Sequence, residues 1–204
     1  MFSGPENTKR TLIAIAMALA LPSGAMASAT ALSMQTGRVT SQPIGHYEFC
    51  KQYKSECQPV KGSGAAPRVT DYGWDVVKEI NRTVNFTVMP RTDLEQFGKE
   101  EVWAYPDLAG DCEDYVLLKR QMLIARGFSP ADALITVVRK ADGEGHAVLT
   151  LRTSEGDFVL DNLEDEVKLW HDTPYRYLKR QASNNSGRWV TIEADTDVLV
   201  GAVK

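Results

Sequence analysis

The sequence is poor in residues that bind structural metals or cross-link small folds, with only three cysteines and three histidines in 204 residues. Structural zinc usually takes four ligands in close pairs, and such pairs are absent here. Basic clusters interleaved with aromatic residues are also absent and the formal net charge is −4, so nothing favours a nucleic-acid partner. A hydrophobic content of 43% and a charged content of 25% are ordinary for a globular protein of one domain.

Long hydrophobic runs are missing as well. The apolar stretch at residues 11–21 is about half of the roughly 20 residues that a membrane-spanning helix needs, and no later segment comes close. Two basic residues precede it, and Ala25-Met26-Ala27 follows with the small-x-small pattern of a signal-peptidase site. We expect residues 1–27 to be a signal peptide cleaved after Ala27, which gives a periplasmic or secreted protein without a membrane span in its mature form. An uncleaved N-terminal anchor is the alternative.

The odd number of cysteines suggests one disulfide and one free thiol in an exported chain. Cys50 and Cys57 lie close together in a short polar stretch, so a helix or turn between them could bring their α-carbons within bridging distance. The alternative is a pair of unbridged small apolar residues. Cys112 is the remaining thiol.

The rest of the chain divides into a flexible leader (residues 28–42), one domain (43–193) and a C-terminal tail (194–204). Within the domain, hydrophobic periodicity predicts helices at 46–57 and from Asp71 to near Asn85, and a central helix from Cys112 to a glycine stop after Arg126. Alternating apolar residues separated by turn signals predict four strands: 134–139, 146–152, 158–161 and 188–192. The order predicts an α+β fold, with N-terminal helices first and an antiparallel sheet second. Residues 170–177 form an aromatic stretch with no assigned element.

The most informative segment is Gly110-Asp111-Cys112-Glu113-Asp114-Tyr115, which sets one cysteine among three carboxylates at a helix start. A thiol attacks a carbonyl carbon only as thiolate, and a helix N-terminus and a protonated histidine both favour that anion. The segment therefore indicates the nucleophile of a cysteine hydrolase.

His146 begins one predicted strand and Asp161 ends the next. In a hairpin, the start of one strand lies beside the end of its partner, so the two side chains can be cross-strand neighbours. The carboxylate of Asp161 would then orient the imidazole of His146 as the general base. His46 and His171 are rival bases, although both residues are expected to serve packing or surface roles.

An oxyanion hole would stabilise the tetrahedral intermediate, and the backbone N–H of Cys112 at the helix start can supply one donor. The indole N–H of Trp103 is a weaker candidate for the second donor. The alternative is that Trp103 is a core aromatic residue.

The acids beside the thiol oppose thiolate formation because like charges raise a neighbouring pKa. A hard cation bound by Asp111 and Glu113, together with Asp114, would remove this conflict, and Ca²⁺ prefers such oxygen ligands. The alternative is that the three acids only complement the helix dipole.

These segments together resemble the bacterial transglutaminase-like cysteine proteinases, a family that includes the LapG-type periplasmic proteases. The resemblance covers roughly residues 43–192 and is carried by four runs: FCKQYKSEC, VNFTV, GDCEDYVLLKRQMLIARGF and GEGHAVLTLRTSEGDFVLDN. It implies a papain-like/transglutaminase-like fold with a central helix packed on an antiparallel sheet. The implied nucleophile, base and orienting acid are Cys112, His146 and Asp161.

The resemblance also implies a cofactor and partners. The acids beside the cysteine, Asp111, Glu113 and Asp114, would be Ca²⁺ ligands. The substrate would be a surface adhesin cut at a paired-alanine site in its N-terminal retention region, and an inner-membrane receptor that responds to cyclic di-GMP would restrain the protease. Two alternatives share the fold: an acyltransferase that cross-links proteins, and a non-catalytic peptide-binding module.

Overall fold

The computed structural model describes Met1 and residues 32–61 and 64–193. The predicted signal peptide apart from Met1, and the predicted tail at 194–204, lie outside the described residues. None of the helices described is both long enough and apolar enough to cross a bilayer.

The α-helices within the described residues carry Cys112 and much of the core. They are α1 (Ile44–Gln52), α2 (Asp71–Thr87), α3 (Asp93–Phe97) and α4 (Cys112–Ala125). The helix α2 has the cap and the apolar face that its sequence predicts. At its start the hydroxyl of Thr70 accepts a hydrogen bond from the backbone N–H of Gly73, and the side chains of Val77, Ile80 and Val84 bury one face.

Seven strands form one antiparallel sheet in the order β1-β9-β8-β4-β5-β6-β7, and β2 pairs with β3 in a separate parallel ladder. The strands are β1 (Thr36–Thr40), β2 (Met89–Pro90), β3 (Ala109–Gly110), β4 (Ala133–Arg139), β5 (Gly145–Thr153), β6 (Gly156–Leu160), β7 (Lys168–Leu169), β8 (Arg176–Ala182) and β9 (Asn185–Ile192). The meander predicted for the central strands is present as β4-β5-β6.

The helix α4 lies between the sheet and α2, packing against β5 and β4 on one side and α2 on the other. Leu123 of α4 and Leu149 and Leu151 of β5 belong to one buried cluster with no exposed surface. Burying each such side chain contributes roughly 1.5–3 kcal/mol. The docking of α4 on β5 fixes where the first residue of the helix stands relative to the first residues of the strand.

Part of the predicted flexible leader is ordered as a strand. Residues 36–40 form β1, an edge strand that pairs antiparallel with β9, so the domain begins before residue 43 and a strand precedes the helices. Hydrophobic patterning does not reveal β1, because its side chains are largely exposed. The strand is held by backbone pairing with β9 and not by apolar burial.

The strand β8 was not predicted either. Its sequence, RYLKRQA, is mostly polar, yet Arg180 and Gln181 are buried. Arg180 pairs with the buried Asp157 at 2.8 Å, and Gln181 accepts from the backbone of Ile135. Buried polar side chains with partners produce a strand without the usual hydrophobic alternation.

Cys50 and Cys57 form a disulfide with their α-carbons 5.7 Å apart. The bridge joins the end region of α1 to the 3₁₀ turn Lys54–Cys57. Among the described cysteines, Cys112 alone is free.

Candidate active site

Cys112 is the first residue of α4, and its thiol is partly buried. Asp111 precedes it in an extended conformation as the helix N-cap but makes no side-chain cap hydrogen bond. The backbone N–H of Asp114 donates to the carbonyl of Asp111 at 3.1 Å, whereas the N–H of Cys112, at the first position of the helix, has no partner within the helix and can bind a developing oxyanion. The nucleophile candidate therefore stands at the electropositive end of the most central helix.

His146 and Asp161 are joined by a hydrogen bond of 2.9 Å between Nε2 and Oδ1. His146 lies in β5, and Asp161 directly follows β6, whose residue Leu160 pairs with Leu149. By this register Asp161 stands diagonally across from His146 and not directly opposite, a separation that side chains can bridge. The bond occupies Nε2 and leaves Nδ1 as the basic ring nitrogen.

The carboxylate of Asp161 is almost fully buried but well satisfied. Burial alone would raise its pKa, yet hydrogen bonds from His146, Tyr175 and the backbone of Leu163 bring the pKa below its ordinary value. The backbone N–H of Leu163 donates to Oδ1 at 3.0 Å. Asp161 is therefore ionised at neutral pH and can hold a protonated imidazole.

Cys112 and His146 line the same cavity of about 370 Å³, which Trp103, Glu113 and Lys179 also border. Asp161 stands behind His146 and does not line this cavity. A second cavity of equal volume lies near Glu56 and Arg120, away from the thiol. The cavity that contains both the thiol and the imidazole is the one suited to a reacting peptide.

The thiol of Cys112 donates a hydrogen bond to the neighbouring carboxylate, with 2.9 Å between Sγ and Oε2 of Glu113. Burial raises the pKa of Cys112 far above its usual value, and the charge of Glu113 raises it further, while the backbone N–H of Ala147 opposes the shift. The arrangement described therefore holds the sulfur as a thiol, as the like-charge argument anticipates.

The acids around the thiol form a compact cluster that differs in membership from the prediction. Carboxylate oxygens of Asp93, Asp111 and Glu113 lie within 4.8 Å of one another. Asp114 lies outside this group, because its Oδ1 accepts from the backbone of Ala104 at 2.8 Å. Asp93 takes the place predicted for Asp114.

Asp93 was not predicted as a site residue, because it lies far from the cysteine motif along the chain. Short parallel pairing brings it close: Met89 and Pro90 pair with Ala109 and Gly110. The chain therefore enters α3 beside the N-terminus of α4. Strands of two residues are too short to show a hydrophobic pattern, so the sequence does not predict that Asp93 lies near the cysteine.

The cluster of Asp93, Asp111 and Glu113 fits a hard cation. Oδ1 of Asp93 and Oδ1 of Asp111 are buried without a hydrogen-bond partner in the described chain. Burial and the neighbouring Glu113 charge raise the pKa of Asp111 to about 8, and burial also raises the pKa values of Asp93 and Glu113. Three crowded carboxylates with unsatisfied oxygens are what a Ca²⁺ ion would stabilise.

Trp103 is a core aromatic residue that also borders the cavity of Cys112. Its ring is buried against His46, with 5.3 Å between centroids. Its Nε1 is buried and makes no hydrogen bond within the described residues. Its role as the second oxyanion donor stays a prediction.

The rival histidines do not reach the thiol's cavity. His46 is buried in the core, where it accepts from Nε1 of Trp189 at 3.2 Å and where burial lowers its pKa to about 3. His171 pairs with the exposed Asp172 next to it. Neither is placed to accept a proton from Cys112.

Tyr175 was missed by the sequence reasoning. Its hydroxyl donates to Oδ2 of Asp161 at 2.5 Å, and its ring centroid lies 5.5 Å from that of His146. The aromatic stretch in which it lies was noted, but nothing in a one-dimensional pattern connects position 175 to position 161.

Comparisons with known proteins identify the family and the fold. The family model described as bacterial transglutaminase-like cysteine proteinase matches residues 36–197. Calcium-bound LapG of Legionella pneumophila is 22% identical, with a TM-score of 0.50 over 62% of this chain and 75% of that one. The EGTA-treated form is 25% identical, with a TM-score of 0.49 over 63% and 70%. No match is found among curated proteins.

The family model spans most of the chain, including the cysteine motif, β5 and β6. The mixed helix and antiparallel-sheet architecture is that of the LapG structure. The chain therefore belongs to the bacterial transglutaminase-like cysteine proteinase family.

Proposed function

We propose that the protein is an exported, calcium-assisted cysteine endopeptidase in which Cys112 is the nucleophile, His146 the base and Asp161 the orienting acid. The observation that carries this proposal is the His146–Asp161 hydrogen bond of 2.9 Å beside a cavity that His146 shares with Cys112. A nucleophile, a base and a third group that orients the base meet the geometric requirements of covalent acyl transfer.

In the proposed reaction the Cys112 thiol gives its proton to Nδ1 of His146, and the sulfur attacks the peptide carbonyl carbon. The backbone N–H of Cys112 and the indole N–H of Trp103 stabilise the oxyanion. His146 then returns the proton to the leaving amine, which leaves an acyl-enzyme. Water, deprotonated by His146, hydrolyses the thioester and frees the thiol.

The carboxylates of Asp93, Asp111 and Glu113 would hold the calcium ion, which supplies positive charge beside the sulfur. This charge would act on Glu113, whose carboxylate accepts a hydrogen bond from the Cys112 thiol and so favours the protonated sulfur. A Glu113 carboxylate that binds the ion together with Asp93 and Asp111 would no longer accept the hydrogen bond from the thiol. Cys112 can then exchange its proton with His146.

The location and the substrate are further parts of the proposal. The signal-peptide pattern of residues 1–27 supports export to the periplasm or beyond. Membership in the proteinase family implies a protein substrate, and the LapG-type resemblance suggests the N-terminal retention region of a surface adhesin. An inner-membrane receptor that responds to cyclic di-GMP would then be the regulatory partner.

The test compares surface and secreted proteins from cells that carry wild-type protein or Cys112→Ala. We expect one or a few large surface proteins to lose an N-terminal fragment only with the wild type. The purified protein is then incubated with that substrate and a labelled amine. Label incorporation faster than peptide release would replace the protease assignment with acyl transfer, and binding without either reaction would indicate a peptide-binding module.

A further inference from the structure

We propose that Tyr175 is a positioning residue that fixes the carboxylate of Asp161 and thereby the tautomer of His146. The proposal rests on the roles proposed for His146 and Asp161. Its basis is the hydrogen bond of 2.5 Å from the Tyr175 hydroxyl to Oδ2 of Asp161, together with a ring that stands 5.5 Å from the imidazole.

The two oxygens of Asp161 have different partners. Oδ1 accepts from Nε2 of His146 and from the backbone of Leu163, whereas Oδ2 accepts from Tyr175. Three donors in different directions leave the carboxylate little freedom to rotate. The amide of Asn85 donates to the backbone carbonyl of Asp161 and to Glu164 and Asp165, and it makes no hydrogen bond to Oδ2 of Asp161.

Tyr175 is also held by contacts other than its hydrogen bond to Asp161. It packs on a cluster on the sheet that includes Val138, Val148 and Tyr177. Two residues earlier, the hydroxyl of Thr173 donates to the backbone of Trp170 at 2.7 Å, a bond that does not involve the Tyr177 hydroxyl. The ring therefore has a fixed support that does not depend on Asp161.

The protonation state of Tyr175 suits a permanent donor. Burial and the hydrogen bond to Asp161 raise the pKa of the phenol above its ordinary value. The hydroxyl therefore keeps its proton at neutral pH and can act as a donor without transferring that proton. Tyr175 thus acts on the reaction only through Asp161 and His146.

The consequence for His146 is control of which nitrogen carries the proton. A fixed Asp161 keeps the proton on Nε2 and leaves Nδ1 free to accept from the thiol, while the adjacent ring limits water access to the Nε2–Oδ1 bond. Groups that orient a catalytic histidine in this way typically change activity by about 10–100-fold when removed.

Tyr175→Phe tests the proposal because it removes the hydroxyl and keeps the ring. Tyr177→Phe is the matched control, since its hydroxyl contacts Thr173 and not Asp161. Nitrogen NMR of histidine-labelled protein reports the tautomer directly, and only three histidines contribute. The His146 signals are assigned by comparison with His146→Gln.

In the wild type and in Tyr177→Phe we expect one His146 tautomer with a slowly exchanging Nε2 proton. In Tyr175→Phe we expect that proton to exchange with water at least about 10-fold faster and the second tautomer to become detectable, at a similar melting temperature. Unchanged His146 signals in Tyr175→Phe would overturn the proposal, as would equal changes in both variants, which would indicate general loosening.

An activity measurement on the identified substrate completes the test. Tyr175→Phe should lower kcat about 10-fold with KM unchanged, and Tyr177→Phe should change neither. A wild-type protein without peptidase activity would refute the proposed function, yet the NMR comparison would still decide the role of Tyr175.

Discussion

Several ionisable side chains of this protein are buried, and Lys119 is the most completely buried of those described. It lies on α4 with no exposed surface, and its Nζ has no hydrogen-bond partner among the described residues. The nearest aromatic ring is that of Tyr115, with its centroid 5.9 Å from Nζ. Burial lowers the pKa of Lys119 to about 7, and Asp161 and Asp165 only partly offset the shift.

Replacing Lys119 with methionine should stabilise the folded protein, and more at pH 7 than at pH 10. The unfolded lysine binds a proton up to its ordinary pKa, whereas the folded one binds it only below about pH 7. The unfolded state therefore holds more protons between these values, so wild-type stability rises with pH across this window. Methionine removes the penalty, which we estimate at roughly 4 kcal/mol at pH 7.

Thermal unfolding of both proteins at the two pH values measures this effect. Lys78→Met, at an exposed position of α2, is the control and should show no such pH dependence. A Lys119→Met protein that melts at or below the wild-type temperature at pH 7 would contradict the expectation.

Asp161→Asn should preserve the fold and slow turnover by as much as about 10⁴-fold, the loss that the same substitution causes in a Ser-His-Asp triad. The amide oxygen can still accept from His146 and Leu163 at the Oδ1 position, and the amide nitrogen can donate to the Tyr175 hydroxyl. The geometry survives, but the negative charge that supports a protonated His146 is lost. Steady-state kinetics should show the change in kcat; wild-type kcat would remove Asp161 from the mechanism.

At the scale of secondary-structure elements, the short parallel pair β2-β3 has an effect beyond its four residues. It holds the start of α3 against the start of α4, which brings the carboxylate of Asp93 to those of Asp111 and Glu113. The metal site proposed here is thus assembled from two helix starts, one of them 18 residues away from Asp111 along the chain.

Asp93→Asn should weaken Ca²⁺ binding by at least about 10-fold, because one of three charged ligands becomes neutral. Calcium should raise the melting temperature of the wild type, since a ligand that binds only the folded state stabilises it. The shift should be smaller in Asp93→Asn and unchanged in Asp107→Asn, an exposed acid outside the cluster. Titration calorimetry measures the affinities directly, and equal affinity in Asp93→Asn would exclude that ligand.

The disulfide supports a second buried charge. Cys57 ends the 3₁₀ turn that contains Glu56, whose carboxylate pairs with the buried Arg120 of α4 at 3.0 Å. Arg120 also donates to the backbone of Ala133 and to Ser186. The bridge Cys50–Cys57 therefore anchors the segment that neutralises a guanidinium inside the domain.

The double replacement Cys50→Ser with Cys57→Ser should lower the free energy of unfolding by about 2 kcal/mol, as chain entropy predicts for so short a loop. Urea unfolding should show a lower midpoint with little change in slope. If the bridge positions Glu56, then Glu56→Gln should lower the free energy of unfolding less in the double variant than in the bridged protein. Equal losses in the two backgrounds would show that the bridge and the Glu56–Arg120 ion pair stabilise the protein independently.

For the molecule as a whole, the sequence predicted those parts whose patterns are local. α2 and α4 follow from apolar periodicity, and β4, β5 and β6 follow from β-branched alternation between turn signals. The positions of Cys112, His146 and Asp161 followed from residue chemistry and strand pairing. Each of these signals lies within about 20 neighbouring residues.

The features that the sequence did not predict depend on contacts between distant segments. β1 is placed by backbone pairing with β9, and β8 by buried polar partners such as Asp157. Asp93 and Tyr175 reach the site only because the fold returns the chain to it. Hydrophobic patterns report burial, and they do not report which polar side chains meet.

In the proposed mechanism the nucleophile comes from a helix, whereas the base and its orienting acid come from strands of the sheet on which that helix docks. A half-folded chain holds these groups apart, because Cys112 and His146 are brought together only when α4 packs on β5. The proposed active site is therefore complete only once this helix and this strand have packed together.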